Sequence, residues 1–585
     1  MFAVKMDKVL LEYREKIQYA LDYLFSVLGY PYRVVEEEGY IEAGEILFLY
    51  TADPQLIAKH LDSNPRGFAI CILHDPLHYD YGKLSSEDFD KYIHTLNIGY
   101  KLPYICSREI VEPISRSMDK KHSQFYVGEF HFDLIGNIFF HLSGAEEEIF
   151  KNRDGHNRYL WQESPFRKYY QQPFLTGLIN IVELFLTEGE TYIQNALIKV
   201  PLWPGNRQYA AALSHSVDKL EKWTVRRFFN GLLDLVSNIH RVSYHWRNIW
   251  SFIRFLFRNW EPYWNFDLVS RIEKKLGFVS TFFFGARRDN RYDIDYELTE
   301  ADLIKQKREL LEKGHELGLL SYYDSLGTDD YKERVKELEA FAGMRINGVR
   351  QNYYRNQPNR NSVYYLNGGL NWDSSRGMTD MRGFINGIGY PYQLADESWQ
   401  KRTVLEIPVN FCDKSLNIGQ SNLSESQTKE EMRSIIEQAR KFQGMAVFDF
   451  SLMNFEEIPY LAGFYEETLK KLRDDPSVWK TSLGNIFNWI QQRGSIKIIY
   501  QGSKVILQFG ACFDELTLFI KGYWQVVEIE GRVVTEEVQE ELDIFSENTW
   551  WRIGKAEIQI IGRMLKLRKI QAGSKIELEV EKIGK

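Results

Sequence analysis

Tyr209-Ala210-Ala211-Ala212-Leu213-Ser214-His215-Ser216-Val217-Asp218 starts apolar and ends in polar, chemistry-bearing side chains. Five consecutive apolar or aromatic residues read as a strand buried on both faces, which is the pattern of a parallel sheet covered by helices. His215 and Asp218 fall where this strand runs out, with Ser216 between them. A serine hydroxyl cannot take up a proton near neutral pH without a base of its own, so Ser216 is no general base.

Similar short runs recur at Glu45–Tyr50 and Gly67–Leu73, separated by helical patterns. Residues 1–200 therefore read as an α/β domain. The breaker-rich Val200-Pro201-Leu202-Trp203-Pro204-Gly205 marks its end. Strands and helices alternate again over residues 201–480. There Leu303, Lys307, Leu310 and Leu311 line a helix ending near Gly314. Thr428 and Glu431 form a capping-box pair ahead of Met432, Ile435, Ile436, Ala439 and Phe442, and Gly444 is the stop. Residues 490–585 change character. Ile496–Tyr500, a Gly502-Ser503 turn and Val505–Phe509 make a hairpin, and further alternating runs extend it to a small β-sandwich.

The chain has 585 residues, 44% hydrophobic and 15% aromatic, enough for several cores. A net charge of −8 with interspersed signs argues against a nucleic-acid partner. Cys71, Cys106, Cys412 and Cys512 are widely spaced and read as thiols in a reducing compartment. The amino terminus turns charged at once and leads into Val9, Leu10, Ile17, Leu21, Leu24 and Leu28 at helical spacing, unlike a signal peptide. No run of eighteen apolar residues occurs, so no transmembrane segment is expected and the location reads as cytoplasmic.

Several ordered motifs resemble the polysaccharide deacetylase family (carbohydrate esterase family 4, the NodB-homology group), in its subgroup with an extra amino-terminal domain. They are Phe132–Ser143 with Glu146-Glu147, Asp154–Tyr159, Leu276–Phe284, Gly314–Leu319 and Gly348–Gln351. Trp372-Asp373-Ser374, Gly389–Tyr392 and Leu405–Val409 follow in order. The resemblance covers roughly residues 130 to 455. It implies an α/β protein built on an incomplete (β/α) barrel, with an amino-terminal α/β domain and the carboxy-terminal β-sandwich outside the likeness.

It also implies a divalent metal held by two imidazoles and a carboxylate, a carboxylate base that deprotonates bound water, and a histidine acid. Asp218 and Arg350 match retained family positions, Asp218 as a ligand and Arg350 as the group orienting the catalytic carboxylate. Ser216 stands where the base is expected and Leu320 where a ligand histidine is. Asp324 occupies a second histidine position, Asn352 another, and Met445–Phe450 lacks the acid histidine. All twelve histidines lie at or before His315, leaving 270 residues with none. Ordinary deacetylation is not expected.

Three readings follow. The first is a catalytically degenerate relative without a cofactor, acting by binding a glycan, a glycan precursor or a partner enzyme. Tyr322, Tyr323, Tyr353, Trp372 and Tyr390 would supply its sugar-stacking rings. The second is a working carbohydrate de-N-acetylase whose rearranged site holds Zn, Mg or Mn on His215, Asp218 and Asp324, with Asp449 near the same mouth. Against it, acids at strand ends commonly cap helices. The third is a structural subunit of a polysaccharide-assembly complex that meets a protein partner through its β-domain. His315 and His156 read as structural. The stretch Trp246, Trp250, Phe252, Phe255, Phe257, Trp260, Tyr263, Trp264 and Phe266, with Arg247, Arg254 and Arg258 between the rings, reads as a helix on the barrel wall with its arginines outward. An interfacial membrane helix and a sugar-stacking surface are the alternatives.

Overall fold

The computed structural model describes residues 1–35, 39–42, 44–55, 67–118, 125–223, 242–258, 261–325, 330–416, 424–533, 551–553 and 555–583. The protein is mixed α/β, and its central feature is an open, curled sheet.

The amino-terminal part carries a six-stranded sheet ordered Tyr32–Val35, Phe2–Met6, Ile46–Thr51, Gly67–Leu73, Phe125–Phe130 and Ile114–Met118. All neighbours are parallel except the last pair. Ile46–Thr51 and Gly67–Leu73 are buried along their whole length, as their continuous apolar runs require. The strand Phe2–Met6 precedes the helix Arg14–Leu28, so the first residues belong to the sheet.

Nine buried residues, Tyr209–Val217, form the strand at the heart of the second sheet. One edge pairs with Met445–Asp449; the other pairs with Val478–Thr481 and then Ser280–Gly285. Parallel pairing continues through Glu316–Leu320, Gly348–Arg350, Trp372–Asp373 and Arg402–Glu406. The sheet does not close on itself: its path ends at Tyr392–Ala395 on one side and Phe411–Cys412 on the other. Helices cover its outer face, among them Phe266–Leu276, Glu425–Lys441 and Leu461–Asp474. The helix expected to end near Gly314 spans Ala301–Glu312, and Gly314 has φ +84°, a left-handed conformation that glycine adopts without strain.

Three details differ from the sequence reading. The helix Glu425–Lys441 begins earlier than the Thr428–Glu431 spacing implies, because Ser424 and Gln427 form the capping box. Leu197–Lys199, expected in the amino-terminal domain, pairs with Phe513–Lys521 as an edge strand of the carboxy-terminal part. The third concerns the helix Val242–Arg258. Phe252 turns inward, its ring 5.2 Å from that of Trp223, but Ile249, Trp250, Ile253, Leu256 and Phe257 are exposed. Apolar side chains as well as Arg254 therefore face outward. Trp260 lies outside the described residues.

The carboxy-terminal part contains two antiparallel five-stranded sheets. The expected hairpin is there, with Ile496 opposite Phe509 and Gln501 opposite Lys504. In Lys575–Lys582, Ile576, Leu578 and Val580 are buried while their neighbours are not, the alternation of a strand with one covered face. Among the described residues, no helix is long and apolar enough to cross a membrane.

Candidate functional site

Side chains alternate across a strand, so Ser214 and Ser216 leave Tyr209–Val217 on one face and His215 on the other. The Ser216 hydroxyl donates to Asp449, 3.1 Å from Oδ2. The Ser214 hydroxyl lies 3.3 Å from Asp449 Oδ1 and 2.7 Å from Nη1 of Arg350, which donates to it. His215 points into the helix layer. Its Nδ1 is 3.0 Å from the Phe450 carbonyl, and its Nε2 is 3.1 Å from Glu273 on Phe266–Leu276. Tyr465 also donates to Glu273, at 2.6 Å.

Arg350 shows how strongly the sheet curls. Two strands separate Gly348–Arg350 from Tyr209–Val217, so a flat sheet would hold them about 14 Å apart. Instead the Arg350 guanidinium crosses the concave side and meets Asp449 Oδ1 at 2.5 Å. It also donates to the Ser374 carbonyl and hydroxyl, each at 2.9 Å. Tyr354 donates to Asp449 Oδ2 at 2.7 Å, and the Cys412 thiol lies 3.9 Å from that oxygen. Asp449 and Arg350 are fully buried, and every bond within reach keeps the pair satisfied.

Asp218, just beyond the strand end, is held differently. The Lys414 ammonium pairs with its Oδ2 at 3.0 Å and the Ser451 hydroxyl donates to Oδ1 at 2.6 Å. Burial would raise the Asp218 carboxyl, but Lys414 and Ser451 outweigh it and hold it below its ordinary range. Burial likewise opposes charge on Lys414, yet Asp218, Cys412 and Asp449 push its pKa up. Next to it, burial and then Asp449 drive Asp413 well above the usual carboxylate range. Glu273 runs the other way: the His215 and His315 rings and Tyr465 overcome burial and lower it.

The residues expected to hold a metal are not brought together. His215 has both ring nitrogens committed on the outer face, and Asp218 is paired with Lys414. The Asp324 side chain is 66% exposed, 3.5 Å from Arg355 and accepting from Asn290. Among the described residues, no group of three His, Cys, Asp or Glu side chains is placed to hold a metal ion. The metal set implied by the resemblance therefore does not fit these residues.

The rings expected to meet a sugar divide. Tyr323 and Tyr353 converge with their centroids 5.5 Å apart, and Tyr292 stacks on Tyr323 at 4.4 Å. These residues follow three successive sheet strands. His156 completes the group from the amino-terminal part, its Nδ1 2.9 Å from the Tyr323 hydroxyl and its ring 4.8 Å from Tyr353. Lys414 lies 5.5 Å from the Tyr353 ring, which links this cluster to Asp218. Trp372 and Tyr390 are core residues instead, 3% and 1% exposed, packed on Phe283 and on Trp203. Tyr322 is buried beneath the Arg334 guanidinium and donates to Asp330. None of these three presents a ring face to a ligand.

Beside the cluster, a cavity of about 520 Å³ opens where the amino-terminal part meets the sheet. Arg158, Tyr159, Trp161, Tyr354, Gln357 and Arg376 line it. Tyr354 thus stands between the cavity and the buried Asp449. Lys414 and Tyr292 are not among the candidate site residues that the sequence marks, whereas Tyr354 belongs to the tyrosines clustered around the motifs. Lys414 closely follows the apolar Phe411-Cys412, a strand end comparable to that of Asp218, and that position was the signal available.

Residues 11–188 match a family described as a family of unknown function, DUF7033. No curated protein matches. Among solved structures, a putative polysaccharide deacetylase from Mycobacterium smegmatis is similar at 16% identity and a TM-score of 0.36, over 50% of this chain and 94% of that one. A probable polysaccharide deacetylase from Pseudomonas aeruginosa PAO1 gives 14% and 0.35, over 50% and 94%. Agd3, described as a novel carbohydrate deacetylase, is similar over 99% of this chain and 98% of its own, at 8% identity and a TM-score of 0.36.

Proposed function

We propose that this chain is a polysaccharide-deacetylase-like protein of glycan metabolism that binds a glycan at the mouth of its open sheet, without the metal-activated water of the family it resembles. The observation that carries this reading is the Lys414–Asp218 ion pair, because the carboxylate a metal would need is already neutralised by an internal cation. The outward turn of His215 and the Ser216–Asp449 hydrogen bond point the same way. Tyr292, Tyr323 and Tyr353 supply half-buried ring faces of the kind that stack on sugars. The adjoining cavity is within the size range of small-ligand sites, and its lining offers donors and acceptors beside rings.

The test pairs binding with metal content. Titration of glycans should show binding that falls by about tenfold or more in Tyr323→Ala and Tyr353→Ala. Elemental analysis of the same protein, purified without chelator, should find no stoichiometric metal. One metal ion per chain, lost in Asp218→Ala, together with release of acetate from an acetylated sugar, would replace this reading with that of a working hydrolase.

A further inference from the structure

We propose that the helix Val242–Arg258 is a docking surface for an anionic lipid bilayer, lying along the headgroup plane. Thirteen large apolar side chains are exposed among the described residues, and five of them belong to this one helix. They are Ile249, Trp250, Ile253, Leu256 and Phe257. Residues 249, 253 and 256 follow the i, i+4, i+7 spacing of one helix face, and 250 and 257 lie seven apart along its border. The result is one contiguous apolar stripe. Phe257 is 81% exposed, Leu256 59% and Trp250 53%, so two aromatic rings and a leucine are its most accessible members.

The opposite side already has a partner. Ser251 is buried, Phe252 and Phe255 are half-buried, and Phe252 meets Trp223. The exposed stripe is thus a second apolar face, separate from the one that attaches the helix to the protein.

Charge selects the occupant. The seventeen residues include Arg247, Arg254 and Arg258 but no aspartate or glutamate, although the whole chain carries a net −8. Arg254 is exposed at the edge of the stripe. A cationic helix with an exposed aromatic and aliphatic face, on an otherwise acidic protein, matches the interface of an anionic membrane. The rings would enter the acyl boundary while the helix axis stays at the level of the headgroups. This is peripheral attachment, distinct from crossing the bilayer.

The experiment is co-sedimentation of the full chain with vesicles of phosphatidylcholine alone, or of phosphatidylcholine with phosphatidylglycerol, at low and high salt. Binding is expected on the anionic vesicles only, weakening as salt rises. The double variant Trp250→Ser, Phe257→Ser should lower it by more than about tenfold while keeping the native unfolding midpoint, since both side chains are exposed. Absence of binding to either vesicle overturns the proposal, and so does undiminished binding by the double variant. Equal binding to both vesicles overturns the assigned charge preference. A chain that ignores vesicles but dimerises, and becomes monomeric in the double variant, would make the stripe an interface between copies instead.

Discussion

Asp449 has five donors around it, from Ser214, Ser216, Arg350, Tyr354 and Cys412, and no exposure to water. Such a carboxylate is stable only while its counter-charge is present. Arg350→Ala should therefore cost about 3–5 kcal/mol and lower the thermal unfolding midpoint. Arg350→Lys should recover little, because one ammonium cannot reproduce the bonds to both Ser374 oxygens and Asp449. A midpoint unchanged in Arg350→Ala would show that the pair does not hold the sheet's interior together. A second buried acid gives a pH test. Asp373 faces Glu406 on the neighbouring strand, and both are buried. Burial pushes Asp373 up to about 6 from 3.8, so the folded protein keeps a proton that the unfolded chain has released. Burial and the facing Asp373 carboxylate also hold Glu406 well above its ordinary range, so stability falls as pH rises from 3.8, through about 6 for Asp373 and further for Glu406. Asp373→Asn should flatten this fall and raise the midpoint at neutral pH, which melting across that range will show. At this scale the sequence disclosed strand ends but not how their charges would pair. The alternation at 214–218 was readable, and the two-residue period of a strand is enough to put His215 and Ser216 on opposite faces. The Lys414–Asp218 pair was not, since 196 residues separate the two and only the fold joins them.

Among the elements, helices were legible wherever their apolar period was strong, and their starts less so. Glu425–Lys441 is the instructive case. Thr428 and Glu431 have the capping-box spacing, but Thr428 is buried and donates to the Ser424 carbonyl, while Glu431 pairs with Arg382. The cap falls one turn earlier, with Ser424 Oγ accepting from Gln427 N at 3.3 Å and Gln427 Oε1 accepting from Ser424 N at 2.9 Å. Both spacings occur in the sequence, and tertiary contacts decide between them: the Thr428 hydroxyl also meets Tyr460. Ser424→Ala should cost about 1 kcal/mol, since it removes an exposed cap and little else. Ser424→Asp should keep most of the stability because a carboxylate also accepts from the first-turn amides. If Ser424→Ala melts like the parent protein, the helix does not depend on that cap. The helix Val242–Arg258 makes the complementary point. Its period was plain, yet period alone cannot say which of two apolar faces is covered.

For the whole molecule, composition and periodicity divide the chain into three segments, but the fold does not close each of them on itself. Leu197–Lys199 completes a carboxy-terminal sheet from the far side of the chain, a pairing that three residues cannot announce. The seam is fastened by Arg493, near the end of the helix Leu483–Gly494. It donates to the carbonyls of Ser26 at 2.7 Å, Val200 at 3.2 Å and Pro201 at 2.8 Å, and its guanidinium lies 5.8 Å from the Tyr390 ring. One side chain thus touches the amino-terminal helix, the connecting segment and Tyr390, two residues ahead of the sheet's edge strand Tyr392–Ala395. Arg493→Ala would strip donors from three carbonyls at this seam, and each one left buried without a partner costs about 1–3 kcal/mol. Because the loss falls on the junction, the expected signature is separation of the parts before they unfold. Limited proteolysis of the variant should release an amino-terminal fragment ending near Pro201, and its calorimetric trace should broaden or split where the parent shows a single transition. Arg493→Lys should protect partially, keeping one donor and the stem's packing. Equal resistance to protease in Arg493→Ala and the parent would mean that the shared apolar core, which runs through all three parts, holds the junction without help from this arginine.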